Sequence, residues 1–264
     1  MDLGLNHKTA LVTGSTAGIG FAIAKQLATE GATVILTGRD QGRVNAAIAR
    51  LQAAVPGAQA RGFAGDLATA AGCAALTTQE ARVDILVNNL GIFEPKAFAD
   101  IPDEDWFRFF ETNVMSGVRL SRHYLPAMKA QNWGRIVFIA SESAANIPAE
   151  MVHYGMTKTA QVAVARGLAE GTAGTGVTVN SVLPGPTASE GVSTFFAQLA
   201  QENGISSEAM VSEFFKSGRP SSLLQRLADP AEVANMVAYV CSTAASATNG
   251  AALRVEGGIV RSLF

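Results

Sequence analysis

"TALVTGSTAGIG", residues 9–20, is the most informative stretch for the fold, because an apolar, β-branched run leads directly into a loop with three glycines. Gly14, Gly18 and Gly20 have the spacing G-x-x-x-G-x-G, which differs from the commoner G-x-G-x-x-G. Without side chains, this backbone can turn sharply and approach a diphosphate. The N-terminus of the following helix supplies free N–H groups and a partial positive charge. The stretch therefore predicts a strand, a dinucleotide-binding loop and a helix.

Short apolar runs and longer helical segments alternate along the whole chain. Most of the runs lack polar alternation, as expected for strands that are covered on both faces. The predicted strands are 9–13, 33–37, 59–63, 84–88, 135–140, 177–183 and 252–256, and the predicted helices are 18–30, 41–54, 103–130, 153–171 and 230–243. This alternation predicts an α/β fold, a doubly wound Rossmann-type parallel sheet of about seven strands with helices on both faces.

We expect one domain over residues 1–264 with a single long insertion at about 186–228. Apolar residues recur at helical intervals in this insertion. Because it follows the sixth strand, we expect it to lie beyond the carboxyl ends of the strands and to act as a substrate lid.

Composition limits the classes of partner. Hydrophobic residues make up 48% and charged residues 16% of the 264 residues, which is enough apolar material for a large core. The formal net charge is −2, without a long basic run, which argues against nucleic acid or an anionic membrane as partner. Cys73 and Cys241 lack metal-ligand spacing, so no metal site is predicted. No secretory signal or membrane-spanning run is recognisable, and a cytoplasmic protein that acts on a small molecule is expected.

The end of the second strand, "TVILTGRD", bears on the choice of dinucleotide. NAD-specific folds usually carry an acid about 20 residues beyond the glycine loop, and Gly38 stands there, followed by Arg39. A guanidinium can bind a 2′-phosphate with two charge-assisted hydrogen bonds, and the Ser15 hydroxyl could add a third. Asp40 is the competing ribose ligand, but it more simply caps the next helix. NADP(H) is therefore favoured over NAD(H).

Six further short motifs follow the glycine loop in order. They are "GDL" (65–67), "NNLG" (88–91), "ETNVMSG" around Asn113, "FIASESA" with Ser141, "YGMTK" (154–158) and "NSVLPGPTAS" (180–189). Ser141 precedes Tyr154 by thirteen residues, and Tyr154 and Lys158 are one helical turn apart. Together these motifs resemble the short-chain dehydrogenase/reductase family, in its short single-domain branch, over essentially the whole chain. Leu90 departs from the usual alanine without removing a hydrogen-bond donor.

The resemblance implies an oxidoreductase that interconverts a ketone or aldehyde and an alcohol. It assigns catalysis to Asn113, Ser141, Tyr154 and Lys158. It assigns NADP(H) binding to Gly14, Ser15, Thr16, Gly18, Ile19, Gly20, Arg39, Asp66, Leu67, Asn88, Gly91, Tyr154, Lys158, Pro184, Gly185 and Thr187. It also implies a homotetramer (or homodimer) in which helices 103–130 and 153–171 pair across an axis.

The implied chemistry suits these residue types. Tyr154 would protonate the alkoxide, which requires lowering its pKa by two to three units, or roughly 3–4 kcal/mol. An ammonium about 4 Å away, on Lys158, supplies on the order of 4 kcal/mol at an effective dielectric constant near 20. Ser141 would hydrogen-bond the substrate oxygen. Asn113 would hold a water that connects Lys158 to solvent.

Two alternative functions remain open. The first is a 3-oxoacyl-(acyl-carrier-protein) reductase, but Asn132 and Thr175 stand where such enzymes tend to be basic. The second is a non-catalytic NADP(H)-binding sensor, although such proteins commonly lose the tyrosine, lysine or serine. Glu142 and Glu150 could contact a substrate, but a solvated loop position is favoured for both.

Overall fold

Seven parallel strands form one sheet in the order β3-β2-β1-β4-β5-β6-β7 in the computed structural model, which describes residues 2–263. The strands are β1 (Thr9–Val12), β2 (Thr33–Gly38), β3 (Ala60–Ala64), β4 (Ile85–Asn88), β5 (Gly134–Ile139), β6 (Val177–Pro184) and β7 (Ala252–Val255). The predicted doubly wound Rossmann-type sheet is confirmed. Its strand order reverses between β1 and β4, which is where ligands bind in such sheets.

Nine α-helices accompany the strands in the described chain. They are α1 (Gly18–Thr29), α2 (Gln41–Ala54), α3 (Ala70–Gln79), α4 (Asp103–Phe110), α5 (Ser116–Ala130), α6 (Val152–Glu170), α7 (Glu190–Asn203), α8 (Ser207–Glu213) and α9 (Pro230–Cys241). Side-chain caps fix several starts. Asp40 accepts a hydrogen bond from the Arg43 N–H and so begins α2. Asp229 and Glu232 form a capping box at α9.

Two helical segments differ from the prediction. Helix α3, capped by Thr69, was not predicted, because "AAGCAALTTQ" is alanine-rich and has almost no apolar face. The segment 103–130 is helical throughout, as predicted, but a π-helical turn at Glu111–Met115 lies between α4 and α5. Such turns are frequent at functional sites, and this one contains Asn113.

The core has one layer on each face of the sheet. In β1, Ala10 and Val12 join the layer under α1 and α9, whereas Leu11 joins the layer under α5 and α6. Both sets are fully buried, which explains the apolar runs without polar alternation. Within residues 2–263, no helix is long and apolar enough to cross a bilayer.

The insertion at 186–228 folds into α7, α8 and a second π-helical turn, Phe214–Gly218. A parallel bridge between Thr187 and Ala228 joins its two ends. Phe196 and Phe215 are buried, and each ring packs against the ring of Phe214, with centroids 5.2 Å apart. The insertion thus has buried apolar side chains of its own, and it follows the carboxyl end of β6.

Candidate active site

A cavity of about 420 Å³ opens at the carboxyl ends of the central strands. Ser141, Tyr154 and Lys158 line it, and Ile19 of the glycine loop lines it as well. The insertion contributes a mainly apolar wall of Val192, Phe195, Phe196, Leu199 and Phe214. Residues from separate parts of the sequence therefore meet in one cleft.

Tyr154 and Lys158 lie one turn apart in α6, with the Lys158 Nζ 5.6 Å from the Tyr154 ring centroid. The lysine is buried, and its Nζ donates to the Ile139 carbonyl at 2.9 Å and to the Gln161 Oε1 at 3.1 Å. Burial lowers the pKa of Lys158 from 10.5 to about 7. Lys158 is therefore a buried lysine in the wall of the cavity rather than a solvated surface lysine.

The electrostatics of Tyr154 differ from the expected ones. Burial raises its pKa to about 12, a hydrogen bond with Ser141 lowers it, and the nearby charge of Glu142 raises it further. The predicted depression by Lys158 is not seen in this structure. The reason is that the same burial that isolates the phenol also disfavours the ammonium on Lys158.

Ser141 follows β5 and begins a short 3₁₀ turn, Glu142–Ala144. Its hydroxyl oxygen accepts the Ser143 N–H at 3.1 Å. Because this bond fixes the oxygen and Tyr154 bonds the same hydroxyl, Ser141 presents a preorganised partner to an oxygen in the cavity.

Asn113 is fully buried in the π-helical turn. Its amide bonds both the N–H and the carbonyl of Ile92, and also the Thr157 hydroxyl. Its own carbonyl accepts the Gln161 Nε2 at 2.5 Å. Gln161 thus links Asn113 to Lys158 through two direct hydrogen bonds. The sequence held one clue, since Gln161 lies three residues beyond Lys158 on the same helical face.

The glycine loop packs too tightly for side chains. A Cβ on Gly20 would lie 2.4 Å from the Gly14 carbonyl oxygen. Gly14 and Gly18 have φ values of +61° and +57°, which favour glycine. Asn89, which the sequence interpretation missed, braces the loop by donating to the Thr13 and Gly14 carbonyls.

Ser15 requires a correction. Its hydroxyl donates to the Val12 carbonyl at 2.7 Å and accepts the Thr37 N–H at 2.9 Å, and the side chain is fully buried. It ties β1 to β2 and is not free to bind a 2′-phosphate. A hydroxyl this close to its own strand bonds the local backbone first.

The N-terminus of α1 attracts an anion. Its N-cap, Ala17, offers no side-chain acceptor, and the Gly18 N–H donates instead to the Glu190 Oε2 of the insertion at 2.5 Å. Arg50 lies 3.8 Å from the same carboxylate and donates to the Thr16 carbonyl. A carboxylate of the chain itself occupies the kind of position that suits a phosphate, so the loop fits a dinucleotide diphosphate.

Next to this loop, Gly38 ends β2 and Arg39 follows it. A Cβ on Gly38 would lie 2.7 Å from the Thr16 Cγ2, so a larger residue would not fit there without movement. Arg39 is exposed, and Asp40 is engaged as the cap of α2, as predicted.

The remaining residues predicted to bind the cofactor fall into two groups, those that line the cavity and those that do not. Gly91, Pro184, Gly185 and Thr187 line the cavity. The exposed Asp66 accepts the Ala68 N–H, whereas the Leu67 side chain is buried in the core.

Asn88 needs a second correction, because its side chain turns toward α5 and donates to the Ser121 hydroxyl. It is the following residue, Asn89, that lines the cavity.

Glu142 also differs from expectation. It is buried, not solvated, and its Oε1 accepts the Arg219 Nε at 3.1 Å. Burial raises the pKa of Glu142, and the Arg219 charge opposes this shift. Glu150, by contrast, is exposed, as predicted.

The sequence profile of the short chain dehydrogenase family matches residues 8–200, which include the glycine loop, Ser141, Tyr154 and Lys158. The chain is a short-chain dehydrogenase. Members of this family act on CH–OH groups with NAD(P) as acceptor.

Three similar proteins place this dehydrogenase within the family. It is 51% identical to the uncharacterized oxidoreductase YvaG of Bacillus subtilis over the full length of both chains. It is 35% identical to D-beta-hydroxybutyrate dehydrogenase of Cupriavidus necator, with 97% and 99% of the two chains covered. L-sorbose reductase from Gluconobacter frateurii, solved with NADPH and L-sorbose, aligns over all of both chains with a TM-score of 0.93 and 31% identity.

Proposed function

We propose that this short-chain dehydrogenase is an NADP(H)-dependent oxidoreductase that interconverts a ketone or aldehyde and an alcohol, with Tyr154 as proton donor and acceptor. The observation that carries the proposal is the meeting of Ser141, Tyr154 and Lys158 in one cavity whose wall includes Ile19 of the glycine loop. When bound, the nicotinamide supplies or accepts the hydride, and its oxidised form adds a positive charge beside Tyr154.

Each side chain of the site has a separate proposed role. Ser141 bonds the carbonyl oxygen while negative charge develops on it, and Tyr154 delivers the proton. Lys158 would hold the ribose of the cofactor. Gln161 and the Ile139 carbonyl hold the Lys158 Nζ in place. Asn113 fixes Gln161 through its main-chain carbonyl.

The preference for NADP(H) rests on Arg39 at the end of β2, next to a glycine instead of an acid. The NADPH named for the Gluconobacter structure supports the same choice. Gly14, Thr16, Gly18, Ile19 and Gly20 would hold the diphosphate through their backbone. Asp66 and Leu67 would border the adenine, and Gly91, Pro184, Gly185 and Thr187 the nicotinamide half.

Replacing Tyr154 with phenylalanine tests the mechanism. We expect Tyr154→Phe to lower turnover of ketones with NADPH by at least about 100-fold, the usual contribution of a positioned proton donor. NADPH binding, followed by nicotinamide fluorescence, should change little. Tyr239→Phe, at an exposed tyrosine of α9, is the matched control and should keep full activity. Undiminished activity in Tyr154→Phe would refute the mechanism and favour the non-catalytic sensor.

We further propose the insertion 186–228 as a substrate lid and a homotetramer as the assembly. Helices in 103–130 and 153–171 are the proposed contacts between subunits. The exposed Phe107 and Phe110 of α4 support this choice, because large apolar side chains on one surface favour association. Sedimentation of a monomer at micromolar concentration would contradict the assembly. Turnover of 3-oxoacyl-carrier substrates would favour the carrier-protein reductase instead.

A further inference from the structure

A buried ion pair stands in the wall of the cavity. The Arg219 side chain, 9% exposed, reaches from the insertion to Glu142, whose side chain is 4% exposed. The Arg219 Nη1 lies 3.5 Å from the Oε1 of Glu150, which is 53% exposed at the rim. The guanidinium also lies over the Phe214 ring, 5.6 Å from its centroid. Arg219 is thus fixed from several sides and holds one oxygen of Glu142.

The other oxygen of Glu142 has a free hydrogen-bonding capacity. Within residues 2–263, the buried Glu142 Oε2 has no hydrogen-bond partner at bonding distance, although the adjacent Ser143 side chain lies near enough to the carboxylate to lower its pKa. A carboxylate can accept about four hydrogen bonds, and an unpaired buried acceptor is costly. A buried ion pair contributes little net stability compared with apolar residues of the same volume. Packing alone therefore does not account for an acidic side chain at this position.

The position of Glu142 relates it to the reacting carbonyl. It directly follows Ser141 and lines the same cavity as Tyr154. Its charge is close enough to raise the pKa of Tyr154. A substrate whose carbonyl oxygen bonds Ser141 and Tyr154 would therefore place its neighbouring carbon atoms beside Glu142. The part of the wall that the insertion supplies, with Phe195 and Phe196, is apolar and suits the carbon skeleton.

We propose that Glu142, held by Arg219, is a specificity-determining residue that accepts a hydrogen bond from a substrate hydroxyl. The substrate class is then the hydroxyketones and the corresponding polyols, rather than simple ketones. This inference rests on the proposed function. The hydroxyl would satisfy the free oxygen of Glu142, and a ketone without it would leave that oxygen unpaired.

The test compares three ketones that share one four-carbon skeleton. They are 2-butanone, 1-hydroxy-2-butanone and erythrulose, with no, one and three hydroxyl groups. The measured quantity is kcat/KM with NADPH for the wild type, Glu142→Leu, Glu142→Gln and the control Glu202→Gln, at an exposed glutamate of α7. Intrinsic differences in ketone reactivity cancel when the ratio of two substrates is compared between enzymes. NADPH fluorescence verifies that each variant is folded.

In Glu142→Leu, we expect the preference for the hydroxylated ketones over 2-butanone to fall roughly tenfold or more, as for a hydrogen bond to a charged group. Glu142→Gln keeps a neutral acceptor, so this preference should fall less than in Glu142→Leu. The glutamine variant also keeps the inference testable if Glu142→Leu does not fold. Glu202→Gln should leave the ratio within about twofold.

An equal loss of kcat/KM for all three ketones would show that Glu142 has only a structural role, and it would overturn the inference. So would an unchanged ratio, or a wild type that reduces 2-butanone alone. These results leave the proposed function intact. A wild type that binds NADPH but reduces no ketone would refute the proposed function, and this inference with it.

Discussion

Burial of Lys158 should make the protein least stable where the lysine is charged, and Lys158→Met should reveal this cost. The pKa of Lys158 is lowered by burial from 10.5 to about 7. At 1.36 kcal/mol per unit, holding the proton in the folded state costs about 5 kcal/mol. Below pH 7 both states bind the proton and the full cost is present. Between pH 7 and 10.5 the unfolded state binds more protons, so the free energy of unfolding rises with pH.

Methionine removes the charge but also two hydrogen bonds, to the Ile139 carbonyl and to Gln161. Their loss costs about 1 kcal/mol each. At pH 6.5 Lys158→Met should therefore be more stable than the wild type by about 2–3 kcal/mol. At pH 9.5, where most of the charge penalty has gone, the variant should be equal or slightly less stable. It should also be inactive, which makes stability the quantity to compare.

Urea unfolding at pH 6.5 and 9.5, at one protein concentration, measures both free energies. The difference between variant and wild type should shift by about 3 kcal/mol between the two pH values. Lys25→Met, at an exposed lysine of α1, is the control and should show no comparable shift. The reasoning is refuted if Lys158→Met is less stable at pH 6.5, or if its difference from the wild type does not depend on pH.

Three further outcomes are expected, for substitutions of Arg39, Glu190 and Asp229. Arg39→Ala should weaken NADPH binding at least about tenfold and NADH binding little, since only NADPH has the 2′-phosphate; equal losses in fluorescence titrations would exclude Arg39 as its ligand. Glu190→Ala should tighten NADPH binding severalfold, because the Glu190 carboxylate bonds the Gly18 N–H at the position that suits a phosphate. Weaker binding would mean that Glu190 supports the NADPH site instead of competing for it. Asp229→Ala should cost about 1 kcal/mol by loss of the capping box, or about 2–4 °C in Tm, with Asp229→Asn as the milder control.

Features encoded by neighbouring residues could be predicted from the sequence. The strands follow from apolar runs, and the Tyr154–Lys158 pair follows from its spacing of one turn. Helix α3 could not be predicted, because a run of alanines shows no face. The role of Ser15 was wrong because its hydroxyl had two local backbone partners, and sequence spacing does not show which partner a short polar side chain takes.

Most of the other features that could not be predicted depend on contacts between residues that are distant in sequence. Glu142 and Arg219 are separated by 77 positions, and no local pattern links them. One belongs to the segment that carries the chemistry, and the other belongs to the insertion. Substrate preference can therefore change through the insertion while Ser141, Tyr154 and Lys158 keep their geometry. In such a fold the reaction class can be read from short motifs, but the substrate requires the three-dimensional arrangement of the insertion over the cleft.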